Sequence, residues 1–519
     1  MKKSPPSIFN DVIGPVMRGP SSSHCAAAVR IGRIVRDLMD GEIDSVRIEF
    51  DPHGSLATTH ESQGSDMGLF GGFLGWDTTH DRLVDSPRVI QEAGIRVKIR
   101  LTPIKASHPN TYQMTVSNSR ETHSMTAIST GGGSIEVTGI DGVKVSLAGD
   151  YYETFIYFNG DGEQLLAHLK ENIQADELLL LRGEGSCFVE IKSHVFLDRD
   201  LIYRLCSRSE ILCIKQIAPV LPILSRREIE IPFITCTGML EYNQDKNLDL
   251  WELAVSYERA RGGITDREVM EKMAGIIDIM QNAIQTGLAG TEYADRILGY
   301  QSGKFQSRME NHQLIDGGVL NRIILYTTAM MESKSAMGLI VAAPTAGSCG
   351  GLPGACFGVV DEMHLGREEL ARAMLAAGLV GVFIAAHATF AAEVGGCQAE
   401  CGAGSGMAAA ALVTLAGGTA HQAVNAASMA LQNILGMICD PVANRVEVPC
   451  LGKNVLAASN ALACANMALA DFDPVIPLDE VIQTMDKVGK MLPAALRCTA
   501  LGGLSVTKTA REIEKRLVP

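Results

Sequence analysis

Length, composition and charge exclude several classes of protein. The chain has 519 residues, 46% hydrophobic and 20% charged, which is enough for about three domains with buried cores and is not typical of a disordered chain. Its 45 Lys and Arg face 59 Asp and Glu, and a net charge of −14 repels phosphate backbones and anionic lipids, so we expect no nucleic acid and no membrane as partners. Thirteen cysteines are too few for a disulfide scaffold, and no apolar stretch follows the N-terminal lysines, so we expect a cytoplasmic protein.

The first predicted domain, residues 1–142, is α+β. The run SSHCAAAVRIGRIVRDLMDGE predicts a helix that begins at hydroxyl residues and ends near Gly41. Half-buried strands are indicated by two runs that alternate apolar and polar residues, SVRIEFDPHGSLA and IRVKIRLTPI. Another short strand is predicted from Tyr112 to Ser117. Three consecutive glycines, including Gly132, follow near the end, where backbone without side chains can approach a ligand or another segment closely.

The second predicted domain, residues 143–222, has the order βαββαβ. Its strands and helices predict the ferredoxin-like arrangement, which resembles the small-molecule-sensing ACT family in length and order. A spacer or a dimerisation surface is as compatible with this pattern as a sensor.

The third predicted domain, residues 223–519, is helical and follows a Pro-rich, charged linker near residues 222–232. One stretch, from Ala373 to Ala392, is about as long as the ~20 residues that a bilayer requires. Because it is rich in Ala and Gly and contains His387, we interpret it as a buried core helix.

Three cysteines of this third domain lie beside helix breakers. A Gly pair precedes Cys397, a Pro follows Cys439, and another Pro precedes Cys450, so all three are expected at helix ends or in turns. Backbone amides at such places favour thiolates, the ligands of iron–sulfur clusters. By spacing alone, inert core cysteines remain an alternative, and so does zinc, because Cys397 and Cys401 are four residues apart.

Five separated motifs occur in a fixed order along nearly the whole chain: GPSSSHCAAAVRIG, STGGGSI, APTAGSCGGLPGA, EVGGCQAE and CDPVANRVEVPC. Together they resemble the iron–sulfur-dependent bacterial L-serine dehydratases, with a beta portion fused before an alpha portion and the ACT-like module between them. The resemblance implies a [4Fe-4S] cluster on Cys397, Cys439 and Cys450, with one open iron and no pyridoxal phosphate. The remaining cysteines carry no such assignment, and we expect Cys401, Cys464 and Cys498 to be packing residues.

The resemblance also implies the substrate site, which would take a small amino acid and convert L-serine to pyruvate and ammonia. The start of the first predicted helix carries four polar residues that could cap the helix or bind a carboxylate: Ser21, Ser22, Ser23 and His24. The catalytic candidates among them are His24 and Ser22. Further substrate-binding candidates are Thr345, Gly347, Ser348 and Gly132. We also expect a homo-oligomer, as a dimer.

Two departures from the family pattern leave the catalytic base open. Cys25 and Ala27 replace the usual Thr and Gly after SSSH, and Gln63 replaces a histidine in the segment SQGSD. His60 is a possible substitute for that histidine. The alternatives are the same chemistry on L-threonine or L-cysteine, and a non-catalytic amino-acid sensor.

Overall fold

The computed structural model describes residues 4–517 and has the predicted mixed α+β class. Its first part is built on a six-stranded sheet. The strands are β2 Ser45–Phe50, β3 Arg96–Leu101, β4 Thr111–Ser117, β5 Thr122–Gly131, β6 Ser134–Ile140 and β7 Val143–Leu147. They pair in the order β3-β2-β4-β5-β6-β7. The helices of this part are α1 Ala27–Leu38, α2 Leu56–Thr59, α3 Ser65–Phe73 and α4 Ser86–Glu92. The sheet thus continues to Leu147, past residue 142, where the sequence predicts the boundary.

The start of the first helix differs from a simply capped helix. A single π-type turn, Ser22–Ala26, precedes α1, and the Ser21 side chain makes no cap hydrogen bond. The apolar face of α1 packs on the sheet through Ile31, Val35 and Leu38. Ser22 therefore makes a contact outside its own helix, whereas the Ser21 hydroxyl bonds to His24 within the turn.

The second part has the predicted order βαββαβ. Its elements are β8 Tyr152–Phe158, α5 Gly162–Asn172, β9 Glu177–Arg182, β10 Cys187–Ser193, α6 Arg199–Cys206 and β11 Ile211–Ile217. The four strands pair antiparallel in the order β11-β8-β10-β9. One face of this sheet packs on α5 and α6, while Phe155 and Phe188 on the other face join the core of the first part.

The third part is a helical assembly around one large core. Its helices are α7 Cys236–Asn243, α8 Leu250–Gly262, α9 Asp266–Ala289, α10 Ser302–Glu310, α11 Val319–Ser335, α12 Gly351–Met363, α13 Arg367–His387, α14 Ala392–Gly395, α15 Cys401–Leu415, α16 Ala420–Gln432, α17 Cys450–Leu469, α18 Leu478–Met491 and α19 Lys508–Leu517. Small residues let these helices approach closely: a Cβ on Gly287 would lie 2.0 Å from the Ala329 carbonyl oxygen. Such contacts agree with the Ala- and Gly-rich composition.

Helix α13 contains the apolar stretch singled out in the sequence. It is the one helix within residues 4–517 that is long and apolar enough to cross a membrane, and 78% of that stretch is buried inside the protein. The N-terminal turn Ile8–Val12 packs against it, because Gly378 and Gly381 leave room for the side chains of Ile8 and Val12. This burial supports the interpretation as a core helix.

The N-terminal segment joins the third part. Strand β1, Val16–Met17, pairs antiparallel with β12, Ile340–Val341. Glu258 in α8 accepts hydrogen bonds from the Ser7 hydroxyl and the Ile8 amide, at 2.5 and 2.8 Å. These contacts bring the SSSH turn, residues 21–24, next to the loop that follows β12.

Candidate active site

The three predicted cluster cysteines lie together at chain breaks. Cys397 begins a 3-10 turn after Gly396, Cys450 is the first residue of α17, and Cys439 lies in a short bridge with Arg497. All three are buried. Cys397 and Cys439 belong to one cluster of buried side chains in contact. A hydrogen bond with Cys498 and burial raise the pKa of Cys439, burial raises the pKa of Cys450, and the charge of Cys397 adds to both shifts. Cys450 is therefore near enough to Cys397 for their charges to interact.

Two further thiols, Cys401 and Cys498, stand beside the predicted ligands. The Cys401 sulfur hydrogen-bonds with Cys397 and lowers the pKa of Cys397, and Cys498 contacts Cys439. Cys498 also accepts a hydrogen bond of 3.4 Å from the Gln63 side chain. Both cysteines thus contribute sulfur to the surroundings of the site besides packing.

A cation lies beside these sulfurs. Lys453, one turn into α17, donates to the Asp440 carboxylate at 2.8 Å and to the Ile438 carbonyl at 2.7 Å. Its charge favours the thiolate form of Cys397 and so contributes to the lowered pKa of that thiol. Cys401 and Cys450 are the first residues of α15 and α17, where the helix dipole favours negative charge.

The donor set fits a cluster. Among residues 4–517, no three His, Cys, Asp or Glu side chains converge closely enough to hold a single metal ion. A [4Fe-4S] cluster is instead held through cysteine thiolates on separate irons. Three grouped, buried cysteines next to a lysine and two helix N-termini match that chemistry.

The SSSH turn is linked to the loop Thr345–Ser348. The Ala346 amide donates to the Ser22 hydroxyl at 3.2 Å, although the two residues are 324 positions apart. Ser23, Thr345, Gly347 and Ser348 are all buried in the same region. The substrate-binding candidates from the two ends of the chain therefore meet.

Contacts of His24 fix its tautomer. The Thr59 hydroxyl donates to the Ser55 carbonyl at 2.7 Å, so at 2.8 Å it accepts from His24 Nε2. His24 Nδ1 then carries a lone pair, which accepts from the Ser21 hydroxyl at 3.0 Å. Burial lowers the pKa of His24 to about 3, so its ring is neutral.

His60 and Gln63 have other partners. His60 Nδ1 lies 2.8 Å from the Asp66 carboxylate. Burial alone would lower the pKa of His60, but the hydrogen bond and charge of Asp66 raise it. Gln63, at the position of the family histidine, contacts Cys498.

The glycine turn between β5 and β6 closes one side of the site. A Cβ on Gly131 would lie 2.6 Å from the Ala391 amide, and one on Gly132 would lie 3.2 Å from the Pro344 carbonyl oxygen. Both glycines have positive φ, 107° and 63°. Gly132 therefore contacts the third part through its backbone.

Two buried acids were missed from the sequence. Glu393 Oε1 lies 3.4 Å from His24 Nδ1, and Glu400 accepts a hydrogen bond of 2.7 Å from the Thr345 hydroxyl. Burial raises the pKa of Glu393, and burial together with Cys397 raises the pKa of Glu400 to about 8. Their signal is visible in the motif EVGGCQAE, where the two acids flank the cysteine.

A family model described as serine dehydratase alpha chain matches residues 245–505, which include Cys397, Cys401, Cys439, Cys450 and Cys498. The chain belongs to the serine dehydratase alpha-chain family. Within this family, the chain is 39% identical to the probable L-serine dehydratase alpha chain of Bacillus subtilis over 279 residues, 54% of this chain and 93% of the relative.

Matches also extend beyond the alpha-chain family model. The chain is 38% identical over 153 residues to the probable L-serine dehydratase beta chain of Bacillus subtilis, 30% of this chain and 68% of the relative. It is 26% identical over 499 residues to L-serine dehydratase 1 of Escherichia coli, 94% of this chain and 96% of the relative. This serine dehydratase chain therefore combines in one polypeptide stretches similar to separate alpha and beta chains.

Proposed function

We propose that this chain is an iron–sulfur L-serine ammonia-lyase that converts L-serine to pyruvate and ammonia. The observation that carries the proposal is the hydrogen bond from the Ala346 amide to the Ser22 hydroxyl. In the same turn, His24 lies beside Glu393, and Glu393 is four residues before Cys397 in the chain. These contacts join the SSSH turn to the cysteine group. Two relatives that match 94% of this chain are named L-serine dehydratases, which supports the same reaction.

In the proposed holoenzyme, Cys397, Cys439 and Cys450 hold a [4Fe-4S] cluster. When bound, the open iron of the cluster supplies Lewis acidity toward the leaving hydroxyl. Lys453 balances the negative charge of the thiolates, and Asp440 fixes the position of its ammonium group. No pyridoxal phosphate takes part in the proposed reaction.

The polar residues of the two loops hold the amino acid. Ser22 and Ser23 offer hydroxyls for its carboxylate, whereas the Ser21 hydroxyl, also predicted to bind substrate, donates to His24 Nδ1. The loop Thr345–Ser348 offers hydroxyls and the backbone of Gly347. Burial of both loops excludes water, which strengthens these hydrogen bonds. Deamination follows from release of the enamine, which tautomerises and hydrolyses to pyruvate and ammonia.

The proposed domain roles follow the predicted order, with the first boundary moved from residue 142 to Leu147, because β7 belongs to the six-stranded sheet. The first part is a beta-portion substrate-binding-like domain, the next part, predicted as residues 143–222, is an ACT-like module, and residues 223–519 are the cluster-binding domain. The antiparallel strand order β11-β8-β10-β9 supports the assignment of the module. We place the enzyme in the cytoplasm as a homo-oligomer, as a dimer, without nucleic-acid or membrane partners.

One observation favours a second candidate substrate. Gln63 stands where the family has a histidine and bonds to Cys498 rather than to a candidate substrate residue. A changed residue at this place supports the same chemistry on another β-substituted amino acid, L-threonine or L-cysteine. Steady-state rates on the three amino acids separate the candidates: a higher kcat/KM for L-threonine or L-cysteine would refute the serine assignment.

The cluster is tested on anaerobically purified protein. We expect bound iron and sulfide in the wild type, and loss of iron and of pyruvate formation in Cys397→Ser, Cys439→Ser and Cys450→Ser. Cys206→Ser is the matched control, because Cys206 is exposed on α6, outside the site. Full pyruvate formation after complete removal of iron would refute the proposal.

A further inference from the structure

Glu393, the buried acid beside His24, has a carboxyl oxygen without a hydrogen bond. Its carboxyl group is buried, and Oε2 has no hydrogen-bond partner within residues 4–517. Desolvating a carboxyl oxygen without a hydrogen bond is costly, so such an atom in a native site calls for a partner that binds there. The other oxygen, Oε1, faces His24 Nδ1.

The Asn110 side chain lies next to Glu393. Asn110, at the start of β4, is fully buried, and neither its amide nitrogen nor its oxygen has a hydrogen bond of good geometry. It is nevertheless close enough to Glu393 to oppose the burial-driven rise in the pKa of that acid. Ser129, whose amide bonds to the Asn110 carbonyl, has an unpaired buried hydroxyl as well. Apart from this contact between Asn110 and Glu393, the buried polar side-chain atoms of Asn110 and Ser129 and Oε2 of Glu393 make no hydrogen bond of good geometry, as expected where a polar ligand binds.

The tautomer of His24 gives Glu393 a proton relay. The Nδ1 lone pair of His24 faces the Ser21 hydroxyl at 3.0 Å and a Glu393 oxygen at 3.4 Å, so a proton on that oxygen competes with Ser21 for the same acceptor. The Thr59 and Ser21 hydroxyls hold the ring in this orientation. Because the ring is neutral, the proton of the pair lies on Glu393 at rest, and its transfer to His24 Nδ1 produces the Glu393 carboxylate.

We propose that Glu393 is the base that takes the Cα proton of the substrate, with His24 as its proton partner. This inference rests on the proposed lyase function and names a catalytic group for it. The Cα–H bond breaks and its proton goes to Glu393 Oε2, and the electron pair forms the Cα=Cβ bond. The Cβ–O bond breaks, and the hydroxide leaves with the electrons of that bond. One proton from the Glu393–His24 pair then converts the hydroxide to water, which restores the pair.

The other titratable side chains near the site are less suited to this role. Both Asp66 oxygens lie close to His60 Nδ1, and Glu400 already accepts a hydrogen bond from Thr345. Gln63 has no basic atom at neutral pH. Glu393 is the acid that contacts His24 and keeps an oxygen free.

The test compares Glu393→Gln with the wild type as anaerobic, cluster-loaded enzymes. We expect kcat to fall by about 10²–10⁴-fold, the usual contribution of a general base. Iron content, and affinity for the unreactive analogue L-alanine, should stay within threefold of the wild type. Deuterium at Cα of L-serine should slow the variant more than the wild type, because proton removal becomes rate-limiting. A purely structural role would not produce this isotope effect.

Glu190→Gln is the matched control. Glu190 is a buried carboxyl in β10 whose oxygens also lack hydrogen bonds, but it belongs to the βαββαβ part. Its kcat should stay within twofold of the wild type. In Glu393→Ala, formate should restore part of the activity by supplying a carboxylate to the vacated space.

Several outcomes would overturn the assignment of Glu393. These are a kcat of Glu393→Gln within tenfold of the wild type, an unchanged isotope effect, and loss of iron or of L-alanine binding from that variant. Absence of rescue by formate would also contradict it. If the wild-type holoenzyme itself makes no pyruvate from L-serine, the proposed function fails instead.

Discussion

Asn454 ties the Thr345–Ser348 loop to the helix that begins at Cys450. Its Oδ1 accepts from the Gly350 and Gly351 amides at 3.1 and 3.0 Å. Its Nδ2 donates to the Gly347 and Cys450 carbonyls at 2.8 and 2.9 Å. The side chain is fully buried, so solvent cannot replace these bonds.

We expect Asn454→Ala to lower the free energy of unfolding by about 4 kcal/mol, since four buried hydrogen bonds contribute about 1 kcal/mol each. It should also reduce kcat/KM, because the substrate loop loses its connection to α17. Urea denaturation followed by circular dichroism, and pyruvate formation by the loaded enzyme, measure the two effects.

Asn466→Ala is the control for this substitution, because Asn466 is exposed on the same helix and should cost at most about 0.5 kcal/mol. A loss below about 1 kcal/mol in Asn454→Ala would show that these bonds are not needed. An unchanged kcat/KM in a destabilised variant would refute the link between this side chain and the substrate loop.

Two further predictions concern charge and backbone. Because Asp66 raises the pKa of His60 above its unfolded value, this pair stabilises the protein below pH ~6.5, and the stabilisation disappears as pH rises through the raised pKa. His60→Asn should therefore flatten the decrease of urea midpoint between pH 6 and 8, and an unaltered pH profile would contradict the pair. Gly131→Ala should reduce kcat/KM at least tenfold, because its Cβ would lie 2.6 Å from the Ala391 amide, near Glu393. Gly142→Ala has a similar positive φ, 75°, but its nearest neighbour would be 3.8 Å away, so equal losses in the two variants would show that backbone strain alone is responsible.

Periodicity predicted the local structure well where the pattern was long. The βαββαβ order of residues 152–217 and the buried state of α13 were confirmed. The hairpin of β5 and β6 was missed because polar and small residues interrupt its alternation, as in SMTAISTGGGS. Pairing with neighbouring strands, which a local pattern does not show, stabilises these segments.

The site could be predicted only in part, because much of it depends on contacts between distant residues. The motifs indicated Cys397, Cys439 and Cys450, and the structure groups them, although their role as ligands stays a prediction. Glu393 contacts His24, and Cys498 contacts Gln63. The partners are hundreds of residues apart in the chain, so a local pattern does not show these contacts. His60, considered as a base from its position alone, pairs with Asp66.

The pairing of Val16 with Val341 has a consequence for biosynthesis. Translation adds roughly 5–20 residues per second, so a ribosome needs roughly 15–65 s to add the 325 residues that separate these two partners. During that interval the apolar residues Ile8 and Val12 lack the helix that later covers them. The nascent chain therefore exposes the apolar side chains of Ile8 and Val12, and we expect chaperones to bind this segment until α13 has been synthesised.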